Sequence, residues 1–245
     1  MSGVQLDEML EPPSQGRVFR HGRIASLGDC APSGRVRLDA LARWLQDVAY
    51  EDVVDAGVAA HAVWVVRRAR MRIVRFPRFG ERVELATFCS GIGRAWAQRR
   101  TSVKRLGESA SDVETVSLWV HLDPSSWHPC PFTPEEIAVY GETAGERRVS
   151  HRLRHPAPPA GARRSTWTFR HSECDVAQHV NNAAYWTVLD EEMLAAPDPE
   201  QLDVEMEWRN PAQPAEKVVL GQGERRWITG RDGEAHASIL IASRR

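Results

Sequence analysis

Two stretches of the chain carry apolar residues at three- and four-residue intervals, the spacing of a helix with one buried stripe. In RLDALARWLQDVAYEDVVDAG the stripe is Leu41, Leu45, Val48 and Ala49, and Gly57 supplies a stop. In NNAAYWTVLDEEML it is Tyr185, Val188, Leu189 and Met193, with Asn181 or Asn182 at the N-cap and Pro197 beyond the end. Most of the remainder alternates. Ala69, Met71 and Ile73 interleave with Arg68, Arg70 and Arg72, which predicts a half-buried strand with one basic face. Val204, Met206 and Trp208 alternate with Asp203, Glu205, Glu207 and Arg209 in the same way. Further strands are expected at 82–88, 99–104, 113–122, 166–170, 217–220 and 237–242, separated by turns such as Leu106-Gly107-Glu108 and Arg231-Asp232-Gly233.

The order of these elements occurs twice. Each half has a strand, a loop, one long helix, a strand, a short Pro-containing loop and a run of antiparallel strands. Overlaying Trp44 on Trp186 gives an offset of 186 − 44 = 142, and overlaying Pro77 on Pro211 gives 211 − 77 = 134. A period this long points to a duplicated domain rather than a solenoid. A helix against an antiparallel sheet is an α+β unit, and two copies packed side by side bury what one leaves open. The expected division is an N-terminal domain at 1–145, a Pro- and Arg-rich linker at 146–162 and a C-terminal domain at 163–245.

Bulk properties narrow the function classes. With 42% hydrophobic and 27% charged residues, the 245-residue chain has the composition of a globular protein with a real core. Its formal net charge of −1 argues against a nucleic-acid binder. No run approaches the ~18 apolar residues of a membrane span, and MSGVQLDEML lacks the features of a signal peptide. Cys30, Cys89, Cys130 and Cys174 lie far apart with no metal-type pairing, so a cytoplasmic protein with reduced thiols is expected.

The segment FRHSECDVAQHVNNAAYWTVLDEEM, from Phe169 to Met193, holds the densest chemistry. Asp175 can serve as a general base for water or as a nucleophile, and His179 can orient a partner or move a proton near neutral pH. The expected helix start at Asn181 offers unpaired N–H groups to a developing oxyanion. No metal or other cofactor is needed. The plain alternative is that Asp, His and Asn ahead of a helix only satisfy backbone groups.

The string Asp175-x-x-x-His179-Val180-Asn181-Asn182-x-x-Tyr185 resembles the signature of hotdog-fold thioesterases, and in its longer form that of the acyl-acyl carrier protein thioesterases of plants and bacteria. RVRLDALARWLQDVAYEDVVDAG is similar to that family's first long helix, WVVRRARMRIVRFPRFGERVEL to its next strand and loop, and SLWVHLD to its closing strand, so the likeness spans 17–245. The resemblance implies two tandem hotdog domains, each a long helix wrapped by an antiparallel sheet. It implies a fatty acyl thioester on acyl carrier protein as substrate and free fatty acid as product, in fatty acid biosynthesis. Asp175 and His179 take the catalytic positions in the C-terminal copy, and the acyl pocket lies largely in the N-terminal copy, lined by Leu41, Leu45 and Val48. Asn182 and Tyr185 fall in the substrate-binding part of the motif. At the offset of 142, Asp175 overlays Ser33 and His179 overlays Arg37, so one active site is expected.

Two departures stand out. Ala177 occupies the place of the family's Asn, which leaves Gln178 or Asn181 to supply an amide. Where plant members carry adjacent Glu and Cys, this chain reads Glu207-Trp208-Arg209-Asn210-Pro211-Ala212. A non-catalytic acyl or carrier-protein binder, an acyl-CoA thioesterase and a hydratase of the same fold are therefore alternative readings. The arginine face is a candidate dock for the carrier protein against the plainer reading of a solvated strand, and a homodimer is left open. Trp44, Trp64, Trp96, Trp119 and Trp186 divide between pocket and core, and His151, His155 and His171 read as surface or linker residues.

Overall fold

The computed structural model describes residues 9–244, so the expectation about the opening segment concerns residues 1–8 and lies outside the described part. The elements are β1 (Phe19–Ile24), α1 (Leu38–Asp55), β2 (Val63–Ile73), β3 (Arg82–Ile92), β4 (Trp96–Arg105), β5 (Val113–Leu122) and α2 (Pro134–Ala144), then β6 (Arg163–Thr168), α3 (Thr187–Leu194), β7 (Leu202–Trp208), β8 (Glu216–Gln222), β9 (Arg225–Thr229) and β10 (Ala235–Arg244). Single 3-10 turns lie at Leu27–Asp29 and His171–Glu173, and a longer one at Asn182–Trp186 leads into α3.

All ten strands form one antiparallel sheet in the order β1-β3-β4-β5-β2-β7-β10-β9-β8-β6. The order reads the same from both ends once β1–β5 are matched to β6–β10, so the duplication expected from the sequence is built into the sheet. The halves join where β2 pairs β7, from Arg68 opposite Glu207 to Ile73 opposite Leu202. One face of the sheet packs on the helices: Ala69, Met71, Ile73, Val204, Met206 and Trp208 share a core with Leu38, Leu41, Trp44, Val48, Tyr185, Trp186 and Leu189. Alternation places these side chains on the helix face and the intervening charges on the other.

The two copies differ in their helices. α1 runs 18 residues, whereas the second copy has a five-residue 3-10 turn and then an eight-residue helix. α2 answers to no apolar periodicity; its signal is local. Thr133 and Glu136 form a reciprocal capping box, and Pro134 opens the first turn. Glu136 is fully buried and also bonds His121 of β5, with Oε1 3.0 Å from Nε2.

The outer face is not a solvated basic strand. Arg70 makes a two-pronged bond to Asp203 across the seam, and Arg68 is buried 3.9 Å from Glu205; Arg72 alone of the three is exposed. The segment 146–162 crosses over this face as a fixed strap. Trp96 Nε1 donates to the Val149 carbonyl, Trp227 Nε1 to the Pro156 carbonyl, and Glu207 accepts the backbone N–H groups of Arg154 and His155. His155, expected at the surface, is buried between Ser238 and Glu205. Gly91 lets the strap approach: a Cβ there would lie 2.5 Å from Val149 Cγ2.

A buried ion pair ties the two copies on the helix face. Arg35, with no solvent exposure, donates Nη1 to Asp190 Oδ1 at 2.9 Å and Nε to Asp198 Oδ1 at 2.8 Å. Asp190 Oδ2 accepts the Leu38 N–H at 2.7 Å, so a carboxylate from α3 caps the start of α1. Burial pushes the Asp190 pKa up, against the pull of Arg35. Arg35→Ala strands that carboxylate, and an expected loss of ~3–5 kcal/mol follows for an uncompensated buried charge. Arg35→Met combined with Asp190→Asn keeps an acceptor for Leu38 and is expected to cost clearly less. Denaturant unfolding of both proteins checks this, and equal losses would refute it.

A pH dependence follows from the His121–Glu136 pair. Burial disfavours the His121 imidazolium, but Glu136 and the Cys130 carbonyl outweigh it and raise the pKa above about 6.5. Burial likewise opposes the Glu136 carboxylate, and bonds from His121 and Thr133 lower its pKa below about 4.5. The histidine's share of stability is present below about pH 6.5 and lost as pH rises through its raised pKa. The glutamate's share is present above about pH 4.5 and lost as pH falls through its lowered pKa. The stability difference between wild type and His121→Phe is therefore expected to be largest between these values and to shrink on either side. A flat difference across pH would show that no charge is involved.

Candidate active site

The site grows from the loop between the 3-10 turn at His171–Glu173 and the one at Asn182–Trp186. Cys174 and Val180 bridge antiparallel, and within that bracket the chain makes a tight turn. The Asp175 N–H donates to the His179 carbonyl at 3.1 Å and the Gln178 N–H to the Asp175 carbonyl at 3.0 Å. Gln178 takes φ +63°, a left-handed conformation costly for a residue with a Cβ. The N-terminal copy holds the same turn with the same bonds: Ala31 N–H to the Arg35 carbonyl, Gly34 N–H to the Ala31 carbonyl, and a Cys30–Val36 bridge. There the left-handed corner is Gly34, at φ +85°.

This match fixes the true overlay. Cys174 − Cys30 and Val180 − Val36 both give 144, not the 142 that the tryptophans suggest. Asp175 therefore overlays Ala31 (175 − 144) and His179 overlays Arg35 (179 − 144), not Ser33 and Arg37. The N-terminal turn thus has an alanine and an arginine where the C-terminal turn has Asp175 and His179. The residue where the C-terminal copy has its imidazole is the arginine that binds Asp190.

Asp175 is half-buried, and each carboxylate oxygen has one donor. Oδ1 accepts the Ala177 N–H at 2.9 Å and Oδ2 the Asn181 Nδ2 at 3.0 Å. Each oxygen keeps a further acceptor position for water or substrate. Asn181 works in both directions, since its Oδ1 accepts the Ala183 N–H at 2.8 Å as the N-cap. One side chain thus fixes the helical segment and the acid together. His179 Nδ1 lies 3.3 Å from the Val180 carbonyl, which makes Nδ1 the protonated nitrogen and leaves Nε2 as an acceptor. Among the described residues no hydrogen bond joins the His179 ring to the Asp175 carboxylate.

Other expected residues fall into different places. Asn182 reaches the opposite copy, donating Nδ2 to the Val66 carbonyl of β2 at 3.3 Å. Tyr185 is buried against Phe169, its hydroxyl accepting the Ala212 N–H, and burial raises its pKa. Gln178 stands exposed at the corner, its carbonyl bonded by Gln213. Leu41 and Val48 lie in the core on the inner face of α1, and Leu45 is half-buried beside them. The 3-10 start changes the expected oxyanion donors: the Ala183 and Ala184 N–H groups are both taken by Asn181. Ala212, in the loop where plant members carry Glu and Cys, is buried and bonds both Val180 and Tyr185 through its backbone.

Among the described residues, one group has metal-type donors close together: His155, Glu205 and Glu207, with ligand atoms within 4.8 Å of one another. It lies on the outer face under the strap, away from Asp175. Glu207 already accepts two backbone N–H groups and Arg209 stands 3.7 Å away, an arrangement that neutralises the carboxylates by protein donors.

A family model described as the acyl-ACP thioesterase N-terminal domain matches residues 16–140. The chain belongs to the acyl-ACP thioesterase family. An uncharacterized Mycobacterium tuberculosis protein is 24% identical over 214 residues, covering 86% of this chain and 85% of that one. An acyl-ACP thioesterase from Bacteroides thetaiotaomicron superposes with a TM-score of 0.77 at 16% identity, covering 91% of this chain and 96% of its own. The 12:0-ACP thioesterase from Umbellularia californica superposes with a TM-score of 0.74 at 16% identity, covering 94% and 99%. These structures share the hotdog fold in α+β form, as the sequence led one to expect, and the family supports hydrolysis of fatty acyl thioesters. No helix among the described residues is long and apolar enough to cross a membrane.

The double duty of Asn181 is open to test. Asn181→Ala is expected to cost ~0.5–2 kcal/mol of stability through the lost cap and to lower turnover by releasing Asp175. Asn181→Asp keeps a capping oxygen but sets a second carboxylate beside Asp175, so turnover is expected to fall with stability nearly unchanged. Melting and thiol release, measured together, separate the two roles; wild-type turnover in the Asp variant would rule out the positioning role.

Proposed function

We propose that the chain hydrolyses fatty acyl thioesters carried on acyl carrier protein, releasing free fatty acid in fatty acid biosynthesis. The observation that carries this reading is Asp175, a half-buried carboxylate held by Asn181 and Ala177 in a turn whose N-terminal counterpart has neither acid nor imidazole. The names of the two similar enzymes support acyl carrier protein as the carrier. In this division 1–145 forms the pocket half, 146–162 the linker and 163–245 the catalytic half.

Asp175 takes a proton from water as its oxygen attacks the thioester carbonyl carbon. His179 holds that water through Nε2. The tetrahedral intermediate collapses with cleavage of the C–S bond, and the proton passes to the thiolate, giving acid and thiol. Asn182, bonded to Val66, and the inner face of α1 at Leu41, Leu45 and Val48 guide the acyl chain toward the N-terminal half. Tyr185 supports this wall from behind through Ala212, and Gln178 stands at the rim where the thioester enters.

The test is release of free thiol from acyl carrier protein and from coenzyme A loaded with the same acyl groups. Asp175→Asn is expected to abolish turnover with the melting temperature unchanged, and His179→Ala to lower it by on the order of 10²-fold. Unaltered turnover in Asp175→Asn would remove that residue from the chemistry. A second reading has one observation in its favour: Ala177 offers no side-chain donor where the family that the motif resembles carries an Asn. Acyl binding without hydrolysis of any thioester would support that non-catalytic binder.

A further inference from the structure

The inner stripe of α1 changes character along its length. Leu41, Leu45 and Val48 are followed one turn later on the same face by Asp52, which is 1% exposed. Opposite it the sheet changes in step. Near the start of α1 the inner positions are Val83, Leu85, Val103 and Val113; farther along they become Thr87, Thr101, Thr115 and Ser117 around Arg99. Arg99 Nη1 bonds Asp52 Oδ2 at 2.7 Å and Thr87 Oγ1 at 3.2 Å, and its guanidinium lies 5.7 Å from the Tyr140 ring centroid. Arg17 Nε reaches the other Asp52 oxygen at 2.6 Å, which completes a neutralised, desolvated plug between helix and sheet.

We propose that the Asp52–Arg99 ion pair is the floor of the acyl pocket and restricts this enzyme to medium-chain acyl thioesters. The inference rests on the hydrolase reading for the direction in which the chain enters. Register gives the depth. Asn182 touches Val66, which pairs with Trp119, which pairs with Ala97, and Arg99 lies two residues beyond on β4. Two strands across and two residues along is about 12 Å. A methylene chain reaching that row meets a charge pair satisfied on every side, and inserting apolar carbon there would strip the ions of partners they cannot replace.

Full-length wild type and the double variant Asp52→Leu/Arg99→Met are compared in two assays. One is calorimetric binding of non-hydrolysable acyl-pantetheine amides bearing butanoyl, octanoyl, decanoyl, palmitoyl and stearoyl groups. The other is thiol release from acyl carrier protein carrying the same groups. Exchanging both ions at once leaves Arg17, which is partly exposed and keeps Asp55 as its partner, so no buried charge is stranded and the fold is expected to survive. Wild-type affinity is expected to rise about fourfold per methylene as far as decanoyl and to fall for palmitoyl. In the double variant the rise continues through palmitoyl and the hydrolysis profile moves with it. A second variant, Ala97→Phe, fills the row before the ion pair and is expected to move both profiles toward octanoyl and shorter. Tightest wild-type binding to palmitoyl or stearoyl would overturn the proposal, as would an unshifted break point in the folded double variant. If that variant does not fold, the wild-type break and its displacement in Ala97→Phe decide. Length-limited binding without any thiol release would sink the hydrolase reading and leave the floor standing.

Discussion

The bond from Arg35 to Asp190 is the constraint on which the arrangement of the site depends. Asp190 belongs to the helix behind the loop that carries Asp175 and His179, and its other oxygen caps α1 of the opposite copy. Breaking this contact would unseat the start of α1, the helix whose inner stripe faces the sheet. It also leaves a charge in the core, where desolvation costs several kcal/mol per ion. The seam between β2 and β7 supplies the second tie, and Asn182 bonding Val66 supplies the third. The acid and the proposed pocket lie in different copies, so their relative position is set by these three contacts rather than by either copy alone.

Much of this was legible in the sequence, for physical reasons. Alternation located most of the strands because each turns an apolar row toward the helices, and the strand 113–122 was matched to the residue, whereas β9 was not foreseen. The helical stripe of α1 was equally plain. What periodicity could not deliver was anything decided locally or across the chain. α2 rests on a capping box and a buried Glu136, with too few apolar positions to announce itself. The second copy's helix begins as a 3-10 turn because Asn181 captures two successive N–H groups, which no spacing rule reports.

The overlay of the copies failed for an instructive reason. Matching the tryptophans aligned two helices of different pitch, and the error passed into the loop ahead of them. The loop's own signal was present in a different residue type: Gly34 and Gln178 occupy the same left-handed corner, and Cys30 and Cys174 the same bridge. The basic strand misled in another way. Arg68 and Arg70 face acids supplied more than a hundred residues later, so their neutralisation could be read only from the pairing of β2 with β7. His155 was misplaced for the same cause, since its partners Glu205 and Ser238 belong to β7 and β10.

The continuous sheet has a consequence for how such a molecule can vary. In an assembly of two identical subunits every substitution enters twice, so a change that improves one reaction centre is imposed on the other. Here the two related loops lie at separate positions of a single gene product. One has kept an acid and an imidazole, while the other has exchanged the imidazole position for an arginine that bolts the halves together. Covalent linkage therefore frees one loop to specialise as a fastener, because the acid and the imidazole it lacks are still present, once, on the same chain.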